Sequence, residues 1–288
     1  MTRILVTGAT GTNGRQIAAR LLQGGFEVRA GVRRPDQASD LKARGAELVE
    51  FDYDRPETVT AAFQGVERAF LLTPFAEHFE EYVRLAVDAA RAAGVTFLVR
   101  LSALGANPNS PMRLSAQHGR ADRLVMESGI PACVLMPSFF MDNLVNFHGM
   151  SIKAMHTWYG ASGSGRVSAV SSADISEVAA AILADPNGHA GQRYVLTGPE
   201  AISDADLAGR LSQALGRTVA YADLAPDQLK AGAMAQGTPE WQADDLVALE
   251  KVKAAGWAAA VSPAVERILG RPAEVWDAFL ERNRARLM

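Results

Sequence analysis

Gly8-Ala9-Thr10-Gly11-Thr12-Asn13-Gly14, near the start of the chain, sets three glycines at three-residue spacing among two hydroxyls and an amide. The chemistry such a segment offers is anion binding by the main chain. One glycine permits a sharp turn, one lets the backbone approach a pyrophosphate, and one lets a helix pack close to a strand. The helix that follows then presents unpaired N–H groups and the positive end of its dipole to the phosphates. The spacing is GxxGxxG rather than GxGxxG, so context decides its meaning. It follows the apolar run Arg3 to Thr7 and precedes Arg15 to Leu22, where Ile17, Ala18, Leu21 and Leu22 recur at helical spacing. That context predicts a dinucleotide-binding turn.

A second group bears on which dinucleotide. An NAD site places Asp or Glu at the end of the second strand to accept hydrogen bonds from the ribose 2′-hydroxyl. Here Ala30-Gly31-Val32 runs into Arg33 and Arg34. Forked guanidinium groups suit a 2′-phosphate. NADP(H) is therefore the expected cofactor, with Arg33 the nearer of the two arginines.

The elements that must position these groups alternate along the chain. Expected strands are Arg3 to Thr7, Glu27 to Val32, Ala46 to Phe51, Arg68 to Thr73, Thr96 to Ser102 and Ala132 to Met136. Helices are expected at Arg15 to Leu22, Gln37 to Arg44, Pro56 to Phe63, Glu77 to Ala93 and Arg113 to Glu127. Apolar strands without alternation are buried on both faces, as in a parallel sheet covered by helices. The fold class is α/β, a doubly wound Rossmann sheet of six such units, with a smaller C-terminal α+β cap. The expected division is 1–150 for the dinucleotide-binding domain and 151–288 for a substrate-binding cap with segments returning to the sheet. Within the cap, Arg166 to Val170 and Arg193 to Leu196 are expected strands, and Ala173 to Ala184 an expected helix.

Bulk properties exclude several classes. A net charge of -3 offers no basic footprint for nucleic acid. The longest apolar stretch, near Cys133 to Met141, is broken by Pro137 and Ser138 and is too short to span a bilayer. The chain opens directly on a strand, without the charged and apolar regions of a secretory signal, so a cytoplasmic location is expected. The single cysteine, Cys133, has no partner for an internal bridge and reads as buried packing. The histidines lack the spacing and the companion ligands of a metal site, so no metal is expected.

The turn TGATGTNG, the segment FDYDRPETV (Phe51 to Val59) and the tail LGRPAEVWDAFLERN (Leu269 to Asn283) together resemble the NmrA-like family of atypical short-chain dehydrogenases/reductases. Within it, the chain looks most like the bacterial quinone, azo-dye and triphenylmethane reductases. The resemblance implies that Thr10, Gly11, Thr12 and Asn13 hold the phosphates and Arg33 the 2′-phosphate, and Gly8, Gly14 and Arg34 complete the expected cofactor site. It places Asp52 and Tyr53 near the adenine, and Leu72, Thr73 and Pro74 along the ribose and nicotinamide. Pro137, Ser138, Phe139 and Phe140 would border the nicotinamide and substrate. Asn143, His148, Met155, His156, Trp158 and Tyr159 are further candidates for an apolar, aromatic-lined substrate pocket.

The resemblance also marks a departure. Ordinary members of the superfamily use Ser…Tyr-x-x-x-Lys, in which the lysine lowers the tyrosine pKa so that the phenol can protonate a carbonyl. Here Ser102 closes the fifth strand as expected, but Leu114 stands in the tyrosine position and His118 in the lysine position. A leucine transfers no proton. His118-Gly119-Arg120-Ala121-Asp122 resembles the His-x-x-x-Glu of the quinone reductase-like members, and at four-residue spacing His118 and Asp122 could hydrogen-bond. His118 and Ser102 are thus the candidate catalytic residues, His118 orienting the nicotinamide ribose or relaying a proton.

Two functions are compatible with these residues. One is an NADPH-dependent oxidoreductase that passes hydride to a small conjugated or electron-poor acceptor: a quinone, azo compound, imine, enone or ketone. The other is a non-catalytic, NADP(H)-sensing regulatory protein that docks on a partner. Either would be a monomer or homodimer without nucleic-acid or membrane partners.

Arg33→Ala is expected to weaken NADPH binding by roughly 10- to 100-fold, the worth of a charge-assisted hydrogen bond. NADH binding should change little, and equal losses in a titration with the two nucleotides would refute the 2′-phosphate role.

Overall fold

The computed structural model describes residues 2–288. The chain divides into two compact units. The first comprises residues up to Pro137, Ser172–Val195 and Ile268–Gly270; the second comprises Ser138–Ser171, Leu196–Arg267 and Arg271–Met288.

In the first unit, strands and helices alternate. They are β1 (Arg3–Val6), α1 (Thr12–Gln23), β2 (Glu27–Val32), α2 (Ser39–Ala43), β3 (Glu47–Glu50), α3 (Pro56–Phe63) and β4 (Arg68–Leu71). Then follow α4 (Phe79–Ala92), β5 (Phe97–Leu101), α5 (Arg113–Met126) and β6 (Ala132–Pro137). After α6 (Asp142–Met155), β7 (Thr157–Gly160) and β8 (Arg166–Val167) of the second unit, the chain returns with α7 (Ser172–Ala184) and β9 (Arg193–Leu196). The seven-stranded sheet has the order β3-β2-β1-β4-β5-β6-β9. The register is parallel from β3 through β6. This is a doubly wound Rossmann sheet.

Apolar side chains dictate this arrangement. β1 and β5 bury Ile4, Leu5, Val6, Leu98 and Val99 on both faces, which only a helix-covered sheet can provide. One face packs on α3, α4 and α5 through Phe63, Val83, Ala86, Ala90 and Val125. On the other face α1 packs against α7, where Asn13 donates from Nδ2 to the Ser172 carbonyl (3.3 Å) and to Ser176 Oγ (3.2 Å). Arg68, at the start of β4, donates to the carbonyls of Leu183 (2.6 Å) and Ala184 (2.9 Å). These are carbonyls that the end of α7 leaves without helical partners.

The division falls after Pro137 rather than after residue 150, and the segments that return to the sheet are α7 and β9, which belong to the first unit. The reason is the edge of β6. Gly191 N–H donates to the Ala132 carbonyl (2.8 Å) and Val134 N–H to the Gln192 carbonyl (3.0 Å), so β9 pairs alongside β6 as a seventh strand. The strand expected at Arg166 to Val170 is regular only over Arg166–Val167, where it pairs antiparallel with β10 (Ile202–Ser203).

The rest of the second unit comprises α8 (Asp204–Leu215), β11 (Ala220–Asp223), α9 (Pro226–Ala235), α10 (Glu240–Ala254), most of α11 (Ala264–Leu269) and α12 (Trp276–Leu287). β11 pairs in parallel with β7. Ser203 and Asp206 close a capping box at the start of α8, satisfying two helix-end N–H groups at once.

Order β3-β2-β1-β4 means that the chain leaves β1 in one direction and resumes at β4 in the other. The carboxyl ends of β1 and β4 therefore flank the topological switch point, where open α/β sheets take ligands. A Cβ on Gly14 would sit 2.3 Å from the Gly8 carbonyl oxygen. Gly14→Ala is accordingly expected to force the turn away from α1, lowering Tm by several degrees and abolishing nucleotide binding. Unchanged binding in a thermal-shift titration would show that the turn does not need this close approach.

Candidate cofactor and catalytic site

The turn after β1 is built for an open helix end. Gly11 caps α1 without any side-chain hydrogen bond, so the first-turn N–H groups keep no protein partner on that account. Thr10, Gly11 and Thr12 are exposed. Ala9 N–H donates to the Gly31 carbonyl (3.2 Å) and Gly11 N–H to the Gly8 carbonyl (2.9 Å), which fixes the loop. Asn13 is different: its side chain is buried against α7, so only its backbone remains available to a phosphate.

Arg33 and Arg34 are exposed where β2 ends, and neither is paired with a carboxylate among the described residues. Arg15, by contrast, is held by Asp40 and by the Gln37 carbonyl (3.0 Å). Of the adenine-side pair, Asp52 is half-buried, but Tyr53 belongs to the apolar core. Its ring stacks on Tyr82 at 4.9 Å and meets Phe51 edge-on at 5.0 Å. Burial pushes the Tyr53 phenol well above its ordinary value. Its hydroxyl donates to the Leu72 carbonyl (3.4 Å), so Tyr53 supports the β4 end from beneath rather than facing a ligand. Thr7 joins the same end, its hydroxyl accepting from Leu72 N–H at 2.8 Å. Leu72 and Thr73 are half-buried and Pro74 exposed.

The catalytic-side residues are organised around Asp122. This carboxylate is fully buried. It accepts from the Arg100 guanidinium, from Ser102 Oγ at 2.8 Å and from Arg193 at 3.4 Å. Burial pushes the carboxyl up from its ordinary value, opposed by Arg100, by the Ser102 hydroxyl and by Arg193. The pairing of His118 with Asp122 is therefore corrected. Asp122 turns inward to the sheet, and His118 Nδ1 is buried without a partner. The His118 ring lies 5.0 Å from that of Phe79. Burial, with the Arg100 charge nearby, pushes its pKa down to about 3, so His118 is neutral near pH 7.

Gly119, next to His118, carries the loop that follows Ser102. A Cβ there would lie 2.2 Å from the Pro108 nitrogen and 2.3 Å from the Asn107 carbonyl carbon. Asn107 N–H donates to the Ser115 carbonyl (3.1 Å), and Ser115 Oγ to the Gly105 carbonyl (2.6 Å). Leu114, also on α5, is half-buried.

Pro137 ends β6, its carbonyl accepting from Leu104 N–H at 2.8 Å. The remaining candidates lie in the second unit. Ser138 is buried, its N–H donating to the Leu196 carbonyl (2.9 Å) while Oγ has no partner. Phe139 and Phe140 are half-buried on a segment bridged to Val170, with the Lys253 ammonium 5.9 Å from the Phe139 ring centroid. Asn143 is half-buried at the start of α6. His148 is held down to about pKa 4 by burial and then by Lys253. One expected pocket residue is corrected. Trp158 is only 3% exposed and packs on Tyr221, so it belongs to the core of this unit. His156 is exposed and ends α6 in a left-handed conformation (φ 53°).

A sequence model described as the NmrA-like family matches residues 1–269. The chain belongs to the NmrA-like family. Among NmrA-like relatives, the NAD(P)H azoreductase of Xenophilus azovorans is 34% identical over 282 residues, spanning 98% of each chain. The crystal structure of an NADPH-dependent quinone oxidoreductase from Escherichia coli, complexed with NADPH, matches with a TM-score of 0.87 at 27% identity. That match covers 97% of this chain and 99% of the other. The Citrobacter triphenylmethane reductase crystallised with NADP(H) shares the fold at 24% identity and a TM-score of 0.86, covering 97% of this chain and 99% of the other.

Arg100 escaped the sequence reading, although a signal was present. A lone arginine inside the apolar run Phe97-Leu98-Val99-Arg100-Leu101 must find a buried counter-charge. Among the described residues, no cluster of three or more His, Cys, Asp or Glu could hold a metal ion, and no helix is long and apolar enough to cross a membrane. Cys133 is buried, and burial pushes its thiol up to about 12.

Removing Asp122 would strand Arg100 in the core. Asp122→Ala is expected to cost about 3–5 kcal/mol, the loss found when one partner of a buried ion pair is deleted. Urea unfolding measures this, and a cost below about 1 kcal/mol would show that the pair is not buried as described.

Proposed function

We propose that this protein is an NADPH-dependent reductase whose substrate is a small conjugated or electron-poor acceptor such as a quinone, azo compound, imine or enone. The observation that carries the reading is the open cradle at the switch point: a helix end with no side-chain cap, next to an exposed arginine with no acidic partner. The residues present fit the nucleotide. Gly14 keeps the space a Cβ would fill, and Val32 is followed by Arg33 and Arg34, with the first acid, Asp36, beyond Pro35. Gly8 to Gly14 would hold the pyrophosphate, Arg33 with Arg34 the 2′-phosphate, Asp52 the adenine side, and Leu72 to Pro74 the ribose and nicotinamide.

When bound, NADPH supplies the hydride. This chain's own residues bind and orient. Leu114 offers no acid where the wider superfamily uses a phenol, and His118 is neutral near pH 7. Ser102 is tied to Asp122 and stays in place. Such a site suits acceptors that take hydride without a strong acid beside them, the proton following from water. The reductase relatives support the same acceptor class. In the second unit, Phe140 and Asn143 are the proposed substrate-side residues.

The purified protein with NADPH should reduce at least one of a panel of quinones, azo dyes, imines and enones well above the uncatalysed rate, and more slowly with NADH. Tight NADPH binding with no turnover of any acceptor would instead support a nucleotide-sensing regulator.

A further inference from the structure

Gln117 is a buried amide on α5, 7% exposed. An apolar residue would serve packing at such a position equally well, and an amide removed from water must find hydrogen bonds inside the protein. Gln117 finds them at both ends. Its Oε1 accepts from Arg113 Nη1 (3.1 Å), one turn earlier on the same helix. Its Nε2 donates to the Glu77 carbonyl (2.9 Å), and so ties α5 to the segment between β4 and α4.

Two neighbours on α5 reach the same region. Arg120 holds Glu80, in the first turn of α4: Nε lies 2.9 Å from each carboxylate oxygen and Nη2 2.6 Å from Oε1. The His118 ring meets that of Phe79, itself 3% exposed, at 5.0 Å. Glu77, Phe79 and Glu80 are therefore all held from one turn of α5. At the other end of the connection, Leu72 N–H is pinned to the Thr7 hydroxyl (2.8 Å). Between the pins the chain runs over the surface, with Pro74 and Phe75 exposed. His78 starts α4 without a side-chain cap. The path of so short a connection is set by its two ends.

We propose that Gln117 and Arg120 are positioning residues that latch the β4–α4 connection, so that Leu72, Thr73 and Pro74 keep the path that receives the nicotinamide half of NADPH. Gln117 has the larger share, because its bond is buried. The side chains of the Arg120–Glu80 pair are 40% and 28% exposed, and solvent weakens such a pair. The proposal rests on the reading of Leu72 to Pro74 as the ribose and nicotinamide side; the latch itself is formed without nucleotide. If these contacts only held α4 against α5, losing them would lower stability and weaken every part of the nucleotide alike.

Calorimetric titration of the full chain with two ligands separates the cases. NADPH brings the nicotinamide half, whereas adenosine 2′,5′-bisphosphate lacks it and tests only the adenine side. Gln117→Met, close in volume, should weaken NADPH by roughly 3- to 10-fold, the worth of one hydrogen bond, and leave the bisphosphate within about twofold. Arg120→Ala should act in the same direction with a smaller loss. Because Arg120 is partly exposed, that variant supplies both measurements if Gln117→Met does not fold. Equal weakening of the two ligands, or of neither, would overturn the proposal. Amide hydrogen exchange without nucleotide gives a second reading: residues 75–78 should exchange faster in the variants while β1 and β5 keep their wild-type rates. Unchanged exchange at 75–78 would equally overturn the latch. Wild-type protein that binds NADPH no more tightly than the bisphosphate would instead refute the nicotinamide role of Leu72 to Pro74, and exchange would still decide whether the latch holds the connection.

Discussion

Asp122 is the anchor of the candidate catalytic side. A carboxylate with no exposed surface must find its solvation inside the protein, and here it comes from three donors on two strands: Arg100 and Ser102 from β5 and its end, and Arg193 from β9. Meeting that need fixes α5 against the middle of the sheet. Once α5 is fixed, the position of His118, the inward hydroxyl of Ser102 and the loop over Gly119 follow. A buried pair of this kind adds little net stability compared with apolar residues of the same volume. What it contributes is placement. It also keeps the acid from the histidine, whose imidazole stays neutral under burial and the Arg100 charge.

The cofactor side rests on a different constraint. Gly14 lets α1 approach the Gly8 carbonyl so closely that no other residue fits, and this points the open helix end across the carboxyl ends of β1 and β4. Arg33 and Arg34 then stand at the end of the neighbouring strand with no internal counter-charge. What this side offers an anion is an open backbone and two exposed side chains, while the candidate catalytic side is sealed by buried charges. The two halves of the first unit solve opposite problems with the same residue type.

Much of this was legible in the chain itself. Glycine spacing, apolar strands and helical periodicity are local properties, and they gave the order of elements up to β6 and the cofactor turn. The family resemblance pointed to Ser102 and His118 as candidates, and the structure shows Ser102 bonded to Asp122 and His118 one helical turn before it. What the sequence concealed are partners set by packing at long range. Four-residue spacing suggested that His118 and Asp122 would meet, yet a buried arginine on β5 competes better for the acid. Tyr53 and Trp158 carry polar handles that read as ligand contacts, and their rings proved more useful to the core. Arg193 to Leu196 read as a strand, but nothing local shows that the edge of β6 is where it docks.

That last docking has a consequence for how the chain comes to be folded during synthesis. The first unit is not one continuous stretch: β9 and α7 arrive only after residues 138–171 have been made. A nascent chain that has emerged only through β6 has the whole nucleotide turn but lacks the helix that covers α1 and the strand that closes the sheet edge. An exposed strand edge of that kind is where pairing with other chains begins. Until Leu196 clears the ribosome, the early half is a hydrophobic sheet waiting for its last two pieces, and shielding it falls to chaperones or to the speed of translation.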